Sequence, residues 1–184
     1  GLGLGALGSI LLMVAILGVR RDLAGALAGS AFWIKFSYTL VIALLAVWMV
    51  ERSGRPGTRA LLPLLLLSLP LAGILGVAAA ELMPAQANRH MLLMGDSARV
   101  CALLIVLVSV PLFAGVFWAL RRLAPTSLTL AGAAAGLLAG SAGATIYAFH
   151  CTESAAPFVA IWYTAGILLT TAVGAGAGRW LLRW

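Results

Sequence analysis

Two cysteines are the residues of this chain best suited to chemistry, and the sequence contains no others. Cys101 opens the apolar run 100–120, and Cys151 lies in a polar break between two later apolar runs. Thiolates are soft ligands that suit zinc, cadmium or copper(I), and two thiols whose Cα atoms lie within about 7 Å can instead form a disulfide. For Cys101 alone, a small buried apolar side chain is the simpler interpretation. The pair therefore predicts metal binding or thiol oxidation.

Further candidate ligands lie beside one of the cysteines and in a second polar stretch. His150 and Glu153 flank Cys151, and an imidazole or a carboxylate can complete a thiolate site. His90 and Asp96 lie in the longest polar connection between apolar runs. The candidate metal ligands are accordingly Cys101, Cys151, His150, Glu153 and His90, with Asp96 as an additional candidate. Any regulatory metal would be a soft ion, zinc or cadmium, and no cofactor is required.

The composition determines which elements position these residues. Apolar residues make up 63% of the 184 positions and charged residues 9%, whereas soluble domains are about 45–50% apolar and about 25% charged. A membrane-spanning helix needs roughly 20 apolar residues. Six such runs can be drawn, at 1–18, 31–50, 60–79, 100–120, 127–148 and 157–178. Because the runs are continuous rather than alternating, residues 1–184 are predicted to form one all-α integral membrane domain, a bundle of six transmembrane helices.

The basic residues are distributed unequally between the two sides of this predicted bundle. With a cytoplasmic N-terminus, the periplasmic side holds five basic and four acidic residues, and the cytoplasmic side holds seven arginines and only Glu51. The seven are Arg52, Arg55, Arg59, Arg121, Arg122, Arg179 and Arg183. Cytoplasmic connections carry an excess of Lys and Arg, so both termini are predicted to be cytoplasmic and both cysteines periplasmic. This sorting accounts for the net charge of +7 without nucleic-acid binding.

Lys35 is the one clear charge inside an apolar run. It lies close to the start of the second run, so its ammonium is predicted to reach the headgroup level beside the indole of Trp33. No acidic residue falls in the middle of a run, whereas pumps and proton-coupled transporters need ionisable groups along their path. A small transporter is therefore disfavoured. Enzyme activity is not predicted either, since the sequence lacks a Cys-x-x-Cys or zinc-protease motif. The principal alternative is a membrane thiol or quinone redox protein.

Glycines recur at four-residue spacing in the fifth and sixth runs. They are Gly132, Gly136 and Gly140 in the fifth run, and Gly174 and Gly178 in the sixth. Small residues at this spacing let helix backbones approach closely in lipid. The two helices are predicted to form a tight hairpin that holds Cys151 at its periplasmic tip.

Several stretches of the sequence together carry a resemblance to a known family. They are residues 118–126, 131–137 and 147–153, followed by 158–160, 162–163 and 179–184, with 32–35 earlier in the chain. Over most of its length the chain is similar to the NrsF family, the negative regulators of sigma F. The segment His150-Cys151-Thr152-Glu153, followed by Trp162-Tyr163, is the most specific part of the match.

The resemblance implies a six-span anti-sigma factor in the inner membrane of Gram-negative bacteria. Such a protein holds an extracytoplasmic-function sigma factor inactive on the cytoplasmic side and releases it under heavy-metal or oxidative stress. The resemblance also implies that Cys101 and Cys151 are the sensing thiols. A short cytoplasmic segment before the first helix is implied to engage the sigma factor. Because Gly1 lies inside an apolar run, we expect that segment upstream of this sequence.

Overall fold

The computed structural model describes residues 1–53, 61–85, 87–122, 125 and 127–183. Within these ranges the chain is helical and contains no strand, which confirms the all-α prediction. The helices are α1 (Leu2–Leu17), α2 (Leu23–Ala28), α3 (Ser30–Ser53), α4 (Leu61–Leu66), α5 (Ser68–Leu82), α6 (Arg89–Met94), α7 (Ala98–Leu120), α8 (Leu128–Tyr147) and α9 (Ala156–Leu181).

Five helical stretches are long and apolar enough to cross a membrane. They are Ser30–Ser53, Leu62–Leu82, Arg89–Leu120, Leu128–Tyr147 and Ala156–Leu181. The first predicted run forms α1, which is apolar but shorter than the other five. Large apolar side chains face outwards, such as Leu4 at 77% and Leu69 at 64% exposed. An apolar exterior of this kind suits lipid as the surrounding solvent.

Helix α8 lies at the centre of the bundle, in contact with α3, α7 and α9. Its crossing with α9 is made by glycines, because a Cβ at Gly132 would collide with the backbone of Gly174 and Gly178. A Cβ at Gly136 would collide with the carbonyl oxygen of Thr170. The predicted close pairing of the fifth and sixth runs is therefore confirmed.

A second close contact, which we did not predict, joins α1 to α7. A Cβ at Gly5 would lie 2.9 Å from the carbonyl oxygen of Pro111, and one at Gly115 would lie 2.7 Å from that of Gly1. Gly1 also lies against the indole of Trp118. Helix α1 therefore runs along α7, with its first residues beside the last turns of that helix.

The bundle has two polar ends, which we call the thiol end and the arginine end. The thiol end consists of the connections 18–22, 83–97 (without residue 86) and 148–155. The arginine end consists of the last residues of α3, α7 and α9, where Arg121 Nε donates to the carbonyl oxygen of Leu181 at 2.6 Å. Arg55 and Arg59, predicted for this side, lie outside the described residues, as do 123, 124 and 126.

Candidate functional site

Cys101 and Cys151 lie together at the thiol end. Cys101 is in the first turn of α7 and Cys151 follows α8, where its N–H bonds back to Tyr147 O at 3.0 Å. Both are free thiols, 0% and 4% exposed. The two thiols lie close enough to influence each other electrostatically, at the same end of the bundle as the sequence predicted. Their role as metal ligands or disulfide partners stays a prediction.

Two tyrosines enclose the thiols. Tyr147 ends α8 and Tyr163 lies in the second turn of α9; their ring centroids are 5.9 Å apart and both side chains are buried. The Tyr163 hydroxyl is buried near Cys151. A metal ion or an oxidant can therefore reach the sulfur atoms only when the thiol end opens.

Cys151 is the thiol of the pair that lies outside the long apolar helices. A hydrogen bond with Cys101 and the positive charge of Lys35 hold the pKa of Cys151 below its ordinary value, although burial acts in the opposite direction. The thiolate is the nucleophile and the metal-binding form of cysteine.

Lys35 lies inside the protein at this end of α3. Its side chain is 0% exposed, and its Nζ donates to Cys151 O at 2.9 Å and to Glu153 O at 2.8 Å. The prediction that this ammonium reaches the headgroup level is therefore wrong. The irregular stretch after α8 leaves carbonyl groups without helical partners, and these acceptors offset the cost of desolvating the ammonium. Trp33, by contrast, is 51% exposed.

The other predicted ligands point away from the thiols. His150 Nδ1 donates to Gly18 O at 2.9 Å, and Glu153 Oε1 accepts from Asp96 N at 2.9 Å. His90 is exposed on α6. In the part of the chain that the structure describes, no three His, Cys, Asp or Glu side chains gather as a metal-binding group. The five candidate ligands therefore do not assemble into one set: the structure brings the two cysteines together and places the other three elsewhere.

The connection between α1 and α2 is attached to the Cys151 stretch by Arg20. Its N–H bonds to Phe149 O at 3.0 Å and its Nη1 donates to Cys151 O at 3.2 Å. Its Nη2 also pairs with Asp22 at 2.6 Å, and this hydrogen bond lowers the pKa of Asp22 to about 2. We did not predict this role from the sequence, where Arg20 entered only the charge balance. The one available signal was its position where an apolar run ends.

On the opposite side of the thiol end, Glu81 fixes the start of α9. Its Oε2 accepts from Ala156 N at 2.9 Å, so a carboxylate at the end of α5 satisfies an N–H of the first turn of α9. Carboxylates are stabilising at a helix N-terminus. The Cys151 stretch is thus held from several neighbouring elements.

Comparisons with known proteins agree along the whole chain. Residues 1–184 match the NrsF family, described as negative regulator of sigma F. The probable anti-sigma-F factor NrsF of Azospira oryzae is 43% identical over 184 residues, which cover 100% of this chain and 86% of that protein. The anti-sigma-F factor NrsF of Caulobacter vibrioides is 38% identical over 184 residues, with 99% and 86% covered. No solved structure matches the chain.

Proposed function

The chain belongs to the NrsF family of negative regulators of sigma F, and from this membership we propose that it is an anti-sigma factor that holds an extracytoplasmic-function sigma factor inactive. Its relatives are named as regulators, which confirms the prediction that the chain is not an enzyme. The sigma factor would bind on the cytoplasmic side, and nucleic acid would be affected only through that partner.

The proposed topology is one domain that crosses the Gram-negative inner membrane six times. The five long apolar stretches support five crossings, and α1, which packs along α7, supplies the sixth. The arginine end would be cytoplasmic, in keeping with the excess of basic residues on that side of cytoplasmic membranes. The thiol end would then face the periplasm, where cysteines can be oxidised.

The placement of Cys101 and Cys151 at the same end of the bundle, as two buried free thiols that influence each other electrostatically, is the observation that carries the sensing proposal. In the oxidative form, an S–S bond forms and the two thiols give two electrons and two protons to the oxidant. In the metal form, a soft ion such as zinc or cadmium binds both sulfurs as thiolates and two protons leave. Either event creates a bonded link between α7 and the stretch after α8.

Helix α1 offers a route from the thiols to the cytoplasmic side. At one end, Gly18 O accepts from His150 and the N–H of Arg20 bonds to Phe149 O. At the other end, Gly1 packs on Trp118 beside the last turns of α7, at the end of the bundle where the sigma factor is proposed to bind. A displacement of residues 149–151 would therefore shift α1 along α7. That shift is the proposed release step.

A sigma-dependent reporter in bacteria tests this function. Cells carry the full-length protein, including its upstream segment, as wild type, Cys101→Ser, Cys151→Ser or the double variant. Cells with the wild-type protein should express the reporter on addition of cadmium or diamide, because the sigma factor is released. Cells with the cysteine variants should keep the reporter repressed. Ser141→Ala is the matched control, because Ser141 is buried but bonds only within α8. A double variant that responds like wild type to both inducers would rule out the sensor.

Binding of the partner is tested separately by co-purification of the full-length protein with its sigma factor. The sigma factor should co-purify with the untreated protein and should be lost after treatment with cadmium or diamide. Turnover of a dithiol or a quinone by the purified protein, without sigma binding, would support the redox alternative. Uptake of a solute into vesicles would support the transporter.

A further inference from the structure

The ammonium of Lys35 is buried with only neutral acceptors. Its two hydrogen bonds go to backbone carbonyl groups, and among the described residues it forms no ion pair with a carboxylate. The rings of Phe32 and Tyr163 lie 5.9 and 5.7 Å from Nζ. Desolvating an ammonium costs several kcal/mol. A side chain that only anchored α3 in the bundle would not need a charge at this depth.

The two acceptors are the ends of one short stretch of chain. Cys151 O and Glu153 O flank Thr152, in a region without helical hydrogen bonds. Arg20 Nη1 donates to the same Cys151 carbonyl group at 3.2 Å. The carbonyl groups of this irregular stretch have no partners within a helix. The donors from Lys35 and Arg20 therefore hold the backbone at Cys151 in place.

The same stretch contacts the start of α7 at two points. The Cys151 thiol lies near enough to Cys101 to interact with it electrostatically, and the Glu153 carboxylate accepts from Asp96 N, just before α7, at 2.9 Å. Gly95 makes the second contact possible, because a Cβ there would lie 2.6 Å from Glu153 Cδ. Lys35, on α3, therefore holds a segment whose two side chains engage α7.

We propose that Lys35 is a positioning residue of the thiol pair: its buried ammonium fixes the backbone of residues 151–153 and thereby keeps the Cys151 sulfur against Cys101. The inference deepens the proposed sensor and rests on it. Without the ammonium, the stretch loses both carbonyl contacts to α3 and the thiols are no longer held together. The pair then forms a disulfide less readily, although both cysteines remain.

The effective concentration of the two thiols measures this role directly. It is obtained from the disulfide equilibrium with glutathione in the purified full-length protein, quantified by mass spectrometry after alkylation. Lys35→Met keeps the length of the side chain and removes its donors. It should lower the effective concentration about tenfold or more, which corresponds to losing one hydrogen bond to a charged group. Lys35→Arg, which keeps donors and charge, should recover part of the loss.

Thr39→Val is the matched control, one turn further along α3. Thr39 is also fully buried, and its hydroxyl accepts a hydrogen bond from Thr145 Oγ1 of α8 at 3.0 Å. The substitution removes this bond between two helices. This variant should be destabilised yet keep the effective concentration within about threefold of wild type, a change of less than about 1 kcal/mol. If Lys35→Met does not fold, Lys35→Gln, which keeps one donor group, takes its place.

An effective concentration unchanged by the loss of the ammonium would overturn the proposal. An equal fall of the effective concentration in Thr39→Val would overturn it as well, because the loss of any buried polar contact would then be enough to separate the thiols. The measurement reads the thiols and not the sigma factor. If Lys35→Met leaves the effective concentration unchanged while the reporter still depends on the cysteines, the sensor stands and the Lys35 proposal fails. If the effective concentration falls but the reporter does not depend on the cysteines, the sensor fails and Lys35 keeps its positioning role.

Discussion

His150 Nδ1 lies 2.9 Å from the carbonyl oxygen of Gly18, where α1 ends and the backbone turns with a positive φ of 75°. The imidazole thus joins the connection after α1 to the stretch after α8. It is turned towards that carbonyl group and not towards the sulfur of the neighbouring Cys151. A histidine next to a cysteine in the sequence therefore serves here as a structural link between two connections.

We expect His150→Ala to affect stability and not metal binding. Loss of the hydrogen bond should lower the free energy of unfolding by about 1–2 kcal/mol. Affinity for cadmium should change by less than about threefold, because the side chain is not a ligand. Titration of the purified protein with cadmium, alongside thermal unfolding in detergent, checks both values. A large loss of affinity at wild-type stability would restore His150 as a ligand.

The glycine contact between α8 and α9 predicts opposite effects for two substitutions. Gly136→Ala should lower the free energy of unfolding by about 1–3 kcal/mol, since the new methyl group meets the Thr170 carbonyl oxygen. Gly176→Ala is the control, because nothing lies within 4 Å of an added Cβ on that face of α9. It should raise stability by up to about 1 kcal/mol through helix propensity. Thermal unfolding that shifts in the same direction for both would contradict the close crossing.

Gly95 should resist substitution for two reasons. Its φ of 49° and ψ of −166° lie in a region that is essentially restricted to glycine and costs other residues about 1–3 kcal/mol, and an added Cβ would displace the Glu153 carboxylate. Gly95→Ala is therefore expected to destabilise the protein and to weaken the contact between Glu153 and Asp96 N. Gly25→Ala, in α2 with open space around it, should be tolerated. Equal unfolding temperatures for the two variants would count against this geometry.

Asp22 should make stability depend on acidic pH. Its hydrogen bond with Arg20 lowers the pKa of the folded form to about 2 from 3.8. A group whose pKa falls on folding contributes stability above the unfolded pKa and loses it as the pH drops towards the folded value. Wild type should therefore melt above Asp22→Asn at neutral pH, with the difference vanishing as the pH falls from 3.8 to about 2. A difference that does not shrink between pH 3.8 and pH 2 would exclude this cause.

The sequence predicted the helices because the apolar runs are long and continuous. It also predicted the crossing of α8 and α9, because four-residue glycine spacing has one simple consequence in lipid. The same spacing at Gly1 and Gly5 could have indicated the contact of α1 with α7. The partner surface there is formed by Pro111 and Gly115, which the spacing alone does not identify.

The candidate site was predicted at the level of the two cysteines and not at the level of their neighbours. Depth along the helices brings Cys101 and Cys151 to one end of the bundle, and rise per residue suffices for that argument. The directions of His150 and Glu153 depend on an irregular stretch, where no periodicity fixes which way a side chain points. Lys35 was misjudged for a related reason: a lysine near a helix end can extend outwards or fold inwards, and its acceptors lie far away in the chain.

The distance along the chain between Lys35 and its acceptors has a consequence for the synthesis and assembly of the protein. The ammonium of Lys35 binds a carbonyl group 116 residues further along the chain. Ribosomal synthesis proceeds from the N-terminus, so in the proposed topology α3 reaches the bilayer well before residues 151–153 exist. During that interval, the headgroup region is the inexpensive place for the charge. Completion of α8 and its following turn then supplies the carbonyl groups that withdraw the lysine into the protein, and α9 follows with the ring of Tyr163.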